Sequence, residues 1–126
     1  MAKLAPTGQP VIYLAHQIAS QKVPVTLVDE TDLATLEITV AAPTIQISKN
    51  GAAWASASDG TWAEVGNGLY TVLLNATDTN ALGWLVVRVI KTSTTAEAHV
   101  LCYVGVSPAD MRSSYQRLRA LHRQGK

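Results

Sequence analysis

At 126 residues, with 48% hydrophobic and 15% charged side chains, the chain has the size of one domain and enough apolar material for a self-supporting core. A single cysteine excludes an intrachain disulfide scaffold and a cysteine-rich zinc site, and a formal net charge of +1 gives no whole-chain reason to bind nucleic acid. The longest apolar run, 82–90, contains Arg88 and is far shorter than the roughly 20 residues a membrane helix needs, so no membrane span is expected; nor is a secretory signal, since the apolar stretch 11–19 is interrupted by His16 and Gln17 with no clean small-residue cleavage site beyond it.

Taken in chain order, residues 1–22 form an N-terminal arm whose conformation stays open. Val11, Leu14, Ala15 and Ile18 fit a short helix, while Ile12, Leu14, His16 and Ile18 fit a strand. From residue 23 the chain breaks into short apolar alternations separated by turn residues, the pattern of an antiparallel sandwich or barrel. Val23, Val25 and Leu27 share one face of a strand that ends at the acidic run Asp29, Glu30 and Asp32; Leu36, Ile38 and Val40 predict a second strand, and Ile45 and Ile47 a third. Asn50-Gly51 predicts a type I′ hairpin, because both central positions of that turn need positive φ. Gly66-Asn67-Gly68 predicts a second, bulged hairpin before a strand over 69–74. A polar link over 75–83, with room for one helical turn, leads to strands over 84–90 and 98–104. The expected inward set is Leu27, Ile38, Ile45, Ile47, Leu73, Val87, Val89 and Val100.

Residues 107–126 break the strand pattern. Ser107-Pro108-Ala109-Asp110 is a helix start, with a capping serine, proline at the first helical position and an acid at the positive end of the helix dipole. Met111, Tyr115 and Leu118 then recur on one helical face, beside Arg112, Arg117, Arg119 and Arg123. The charge is split accordingly: five bases against Asp110 alone give this tail about +4, while five bases and eight acids give residues 1–106 about −3. The expected division is an arm over 1–22, a sandwich over 23–106 and a basic amphipathic helix over 107–126.

Residues with catalytic chemistry are scattered. His16, His99 and His122 lie in separate elements without zinc-pair spacing, and Cys102 sits in an apolar strand, where a buried inert thiol is expected. The 29–32 carboxylates lack the glycine and distal glutamate of a calcium loop and predict a solvated turn. Trp54, Trp62 and Trp84, with Tyr70, are the candidate glycan-stacking aromatics, Trp54 and Trp62 foremost, set against the plainer expectation that they pack in the core or at a subunit contact. No enzyme activity, cofactor or metal is therefore expected.

The blocks Pro24-Val-Thr-Leu-Val-Asp-Glu-Thr-Asp32, Thr44-Ile-Gln-Ile-Ser-Lys-Asn-Gly-Ala-Ala-Trp54, Glu64-Val-Gly-Asn-Gly-Leu-Tyr-Thr-Val-Leu-Leu74 and Thr77-Asp-Thr-Asn-Ala-Leu-Gly83 stand in the order seen in a small immunoglobulin-like β-sandwich module, and over residues 23–104 the chain resembles that module of tailed-bacteriophage virion proteins. The resemblance implies an all-β, Ig-like antiparallel sandwich and an accessory structural role in the virion, made in the host cytoplasm. Head decoration is the leading expectation, since no fibre repeat follows the sandwich; a tail, baseplate or fibre adaptor is the alternative, and a carbohydrate-binding module a second one. The expected partners are other virion structural subunits, capsid or tail, and further copies of the chain. The expected contact residues are Val11, Leu14 and Ile18 of the arm and Arg112, Tyr115, Arg117, Leu118, Arg119 and Arg123 of the helix. The helix is expected to dock between subunits; folding back on its own sandwich is the alternative.

Overall fold

The computed structural model describes residues 11–92 and 95–124, the side chains of 109, 113–115 and 121–124 excepted. Eight strands precede one helix: β1 (Ile12–Ala15), β2 (Gln21–Thr26), β3 (Thr44–Lys49), β4 (Ala55–Ser56), β5 (Thr61–Gly66), β6 (Leu69–Leu74), β7 (Gly83–Ile90), β8 (Ala98–Gly105) and α1 (Pro108–Gln124). They form a five-stranded sheet of order β1-β8-β7-β3-β4 and a three-stranded sheet of order β2-β6-β5. All strand pairs are antiparallel except β1 with β8, which are parallel. This is an all-β, immunoglobulin-like sandwich with a C-terminal helix.

The core follows from alternation. Val23, Val25 and Leu27 face inward beside Tyr70, Val72 and Leu74 within one sheet; Ile47, Leu85, Val87, Val89, Cys102, Val104 and Leu14 close over them from the other. Ile45 and Val100 are half-buried against this core, as expected.

Both predicted hairpins are present. Asn50 and Gly51 take φ of 51° and 83°, and the turn is closed by the Ala52 N–H bonding to Lys49 O at 3.0 Å. In the second, Asn67 and Gly68 make the turn (φ 53° and 84°), and the register slips between Glu64 and Gly66, so that Val65 is the extra bulge residue.

Three expectations are corrected. First, residues 12–15 are a strand hydrogen-bonded to β8 and residues 21–22 begin β2, so the segment read as the second half of an arm is part of the sandwich. Second, 36–40 is not a strand and Ile38 is 62% exposed. This stretch crosses between the sheets, and its amides find other partners: Glu37 N–H bonds to Leu27 O at 2.9 Å, Thr39 N–H to Glu64 Oε2 at 3.0 Å, and Val40 N–H to the Tyr70 hydroxyl at 3.1 Å. Third, Leu73 lies on the outer face of β6, because Tyr70, Val72 and Leu74 take the inner one. A run apolar at nearly every position does not set its own phase. Here the Tyr70 hydroxyl, donating to Glu37 O at 2.7 Å, shows which phase has a polar partner waiting.

The link before β7 is built around Asp78, which is 2% exposed. Its carboxylate accepts from Ser58 N–H (2.7 Å), Asp59 N–H (3.1 Å) and Asn75 N–H (3.1 Å), tying the link to the β4–β5 turn. The helix start is a reciprocal cap: Ser107 Oγ accepts from Asp110 N–H at 3.1 Å, and Asp110 Oδ2 accepts from Ser107 N–H at 3.0 Å.

Candidate interaction surfaces

Strand register fixes what the sandwich shows to its surroundings. Tyr13 pairs with Tyr103 and Tyr103 with Trp84, placing three aromatic side chains in one row across the outer face of β1, β8 and β7. They are 80%, 47% and 45% exposed, and the two tyrosines meet edge to face at 6.4 Å. Val11, Leu101 and Cys102 complete the lining of the shallow depression they form. Contiguous exposed apolar surface of this kind is a feature that interaction surfaces share.

Further along the same face the surface turns polar. Arg88 lies 5.2 Å from the Trp54 ring centre, bonds to Gln46 Oε1 at 3.0 Å and pairs with Glu97; His99 Nε2 lies 2.7 Å from the same Glu97 oxygen and packs against Trp54 at 5.6 Å. The Arg88 guanidinium, then His99, hold the Glu97 carboxyl down at about 2 from its ordinary 4.5. A depressed carboxylate contributes stability that is present above about pH 4.5 and lost as pH falls toward about 2. The pair is partly exposed, so the effect is small. Glu97→Gln is expected to flatten this part of the acid limb in a melting series against pH, and an unchanged limb would remove Glu97 as its source.

Helix α1 leaves the sandwich at the end of β8. Its described side chains from Gln116 to Ala120 are all exposed, with Leu118 at 65%, and Met111 near its start is 60% exposed. One tie anchors its first turn. His16 Nδ1 lies 2.9 Å from Asp110 Oδ2, and His16 Nε2 lies 3.2 Å from Asn80 O. The Ser107 amide, then His16, hold the Asp110 carboxyl below the usual carboxylate range. His16, carried on the turn after β1, thus joins that turn to the base of the C-terminal helix.

The expected contact residues are distributed unevenly. Arg112, Arg117, Leu118 and Arg119 lie exposed on α1, while the Tyr115 and Arg123 side chains fall outside the described ones. Val11 lines the aromatic depression and Ile18 is 40% exposed in the turn after β1. Leu14 is corrected: at 6% exposure it belongs to the core and has no surface to offer a partner. Trp54 and Trp62 do not form a platform, because they belong to different sheets. Trp54 lies between β3 and β4, whereas Trp62 is inward on β5, stacked on Tyr70 at 4.6 Å and 13° and donating to Val40 O at 2.9 Å. Trp84 does lie on the surface, and Tyr13 and Tyr103, which stand beside it, are the surface aromatics that composition alone does not single out. The available signal is that β7 and β8 are apolar on both alternations, which a one-sided core cannot use up.

The remaining chemistry is structural. Cys102 is buried, and burial pushes its thiol up to about 12, far from a reactive thiolate. Asp29 and Asp32 direct their carboxylates at their own loop: Asp29 accepts from Thr31 N–H at 2.7 Å, and Asp32 from Ala34 and Thr35 N–H, each at 2.9 Å. Bonds to Asp32, led by the Thr35 hydroxyl, lower its carboxyl to about 2. Among the described residues no group of three His, Cys, Asp or Glu side chains is placed to hold a metal ion, and no helix is long and apolar enough to cross a membrane.

No protein-family model matches the chain, and no curated protein sequence matches it. Among solved structures it is similar to titin domain M7, at 19% identity over 80% of this chain and 91% of that one, with a TM-score of 0.41. It is also similar to a chain from a mutant titin M10–obscurin-like 1 Ig complex, at 17% identity over 81% of this chain and 92% of that one, with a TM-score of 0.41.

Proposed function

We propose that this chain is an accessory structural protein of a tailed-phage virion that decorates and stabilises the head by docking on neighbouring subunits, with a tail, baseplate or fibre adaptor as the alternative placement. The observation that carries an assembly role is the coincidence, at one end of the sandwich, of an outward helix and an exposed aromatic row. The turn residues around 16–20, the start of β7 and the base of α1 all lie at that end. A rigid sandwich presenting such a surface suits a part that contacts many neighbours. The virion itself is supported by the order of the sequence blocks. Those blocks map onto fold determinants: Asn50-Gly51, Gly66-Asn67-Gly68, buried Tyr70 and buried Asp78. They support the module and leave the docking surface to be read from α1 and the outer face. A glycan platform on Trp54 and Trp62 is not favoured, since the two rings are apart. Quantitative mass spectrometry of purified particles tests the proposal: hundreds of copies per particle are expected for head decoration, a few dozen or fewer would move it to the tail, and absence from particles would overturn the virion reading.

A further inference from the structure

The strand registers give the sandwich two distinct ends. β1 and β8 finish, and β7 begins, at the end from which α1 departs; the crossover 27–43, joined to the β7–β8 turn through the Asp29–Thr95 bridge and the Ala96 N–H to Val28 O bond, caps the other. Charge follows the same axis. Arg112, Arg117 and Arg119 stand on the helix at one end, whereas Asp29, Glu30, Asp32 and Glu37 crowd the crossover at the opposite end, with Glu64 reaching in to bond Thr39 N–H. Both ends also expose apolar side chains, Met111 and Leu118 on the helix, Leu33, Leu36 and Ile38 (66%, 47% and 62%) on the crossover.

The crossover is a formed surface. Val28 bridges Leu36, Asp29 N–H bonds to Thr35 O, and Leu36 packs so tightly over the β5–β6 turn that a side chain at Gly68 would meet its Cβ at 2.8 Å. Desolvation first, then the neighbouring Asp29 and Asp32, raise the Glu37 carboxyl above its usual value. Lys91 already stands at this end, its Nζ donating to Ala41 O at 2.7 Å, but the four crossover acids outnumber it, so cations brought by a partner are attracted there. The chain's own helix starts a whole sandwich length away, so its first turn is not placed to cover the crossover within one molecule.

We propose that copies of this chain associate head to tail, the basic, apolar-striped helix α1 of one copy docking on the acidic, apolar crossover 27–43 of the next. This rests on the assembly reading and deepens it by naming the helix's partner as a second copy. Because the two patches differ, the contact is heterologous and propagates into a ring or a filament instead of closing as a two-fold dimer.

Sedimentation velocity of the isolated full chain over a concentration series tests it. At low ionic strength the mean sedimentation coefficient is expected to rise with concentration past that of a dimer. Raising salt, which shortens the Debye length from about 30 Å at 0.01 M to about 3 Å at 1 M, is expected to weaken association by about tenfold or more. Two doubly substituted chains sharpen the test. Arg112→Ala with Arg117→Ala weakens the helix patch without giving it a charge that a substituted crossover could pair with, and Glu30→Lys with Glu37→Lys removes the crossover patch; circular dichroism of each should match the parent. Each alone should remain monomeric. Mixed, they retain one intact helix and one intact crossover between them, so they should form a one-to-one dimer that grows no further. A parent chain that stays monomeric at the highest attainable concentration in low salt, association that survives in either variant, or a mixture that stays monomeric would each overturn the proposal. Incorporation into particles, scored separately for the same variants, reports on the virion reading independently.

Discussion

Replacing Tyr70 by alanine is expected to cost about 3–5 kcal/mol, as other large aromatic truncations in cores do, against a total stability of about 5–15 kcal/mol for a domain. The side chain is fully buried and acts on three elements together. Its ring stacks on Trp62 at 4.6 Å, and its hydroxyl donates to Glu37 O at 2.7 Å and accepts from Val40 N–H at 3.1 Å. Removing it opens a cavity between the sheets and frees the crossover from β6. Tyr70→Phe separates these contributions: the ring stays, while a carbonyl and an amide lose their partner, a loss of about 1–3 kcal/mol. Urea denaturation should therefore rank parent, Phe variant and Ala variant in descending order of midpoint. An Ala variant as stable as the parent would mean that Tyr70 does not hold the crossover to the sheet.

The same crossover shows where the sequence stops being readable. Asn50-Gly51 and Asn67-Gly68 are legible because positive φ at a two-residue turn is a local demand, and the Ser107–Asp110 cap is legible because donor and acceptor are three residues apart. Residues 36–40 alternate like a strand, but the groups that claim their amides include Glu64 and Tyr70, 25 and 30 residues downstream. The strand at 12–15 is ambiguous in sequence for the same reason, since its partner is β8, far along the chain though adjacent in the sheet. Alternation identifies a face without saying what covers it, which is why pattern alone puts Leu73 inward. The helix as a contact element is visible in its charge and capping. The aromatic row is not, because Tyr13, Tyr103 and Trp84 become neighbours only through the parallel β1–β8 and antiparallel β7–β8 registers.

Deleting residues 108–126 is expected to leave the sandwich folded and its melting temperature within a few degrees of the parent, while abolishing self-association and incorporation into particles. The stability half of this expectation rests on exposure. Leu118 and Met111 contribute little to the core at 65% and 60% exposed, and the tie from the first turn of α1 back to the sandwich, His16 to Asp110, is a partly exposed pair that solvent screens. The main core residues, from Leu14 to Val104, all precede the helix. The functional half rests on what leaves with the helix: the basic patch and the exposed apolar side chains that depart from the same end of the sandwich as the aromatic row. Calorimetry of the truncated chain, run beside particle incorporation, keeps the two halves apart. A folded, monomeric truncation that no longer incorporates makes α1 a docking element. A truncation that melts far below the parent would instead make the helix part of the folding unit, and the loss of incorporation would then follow from instability.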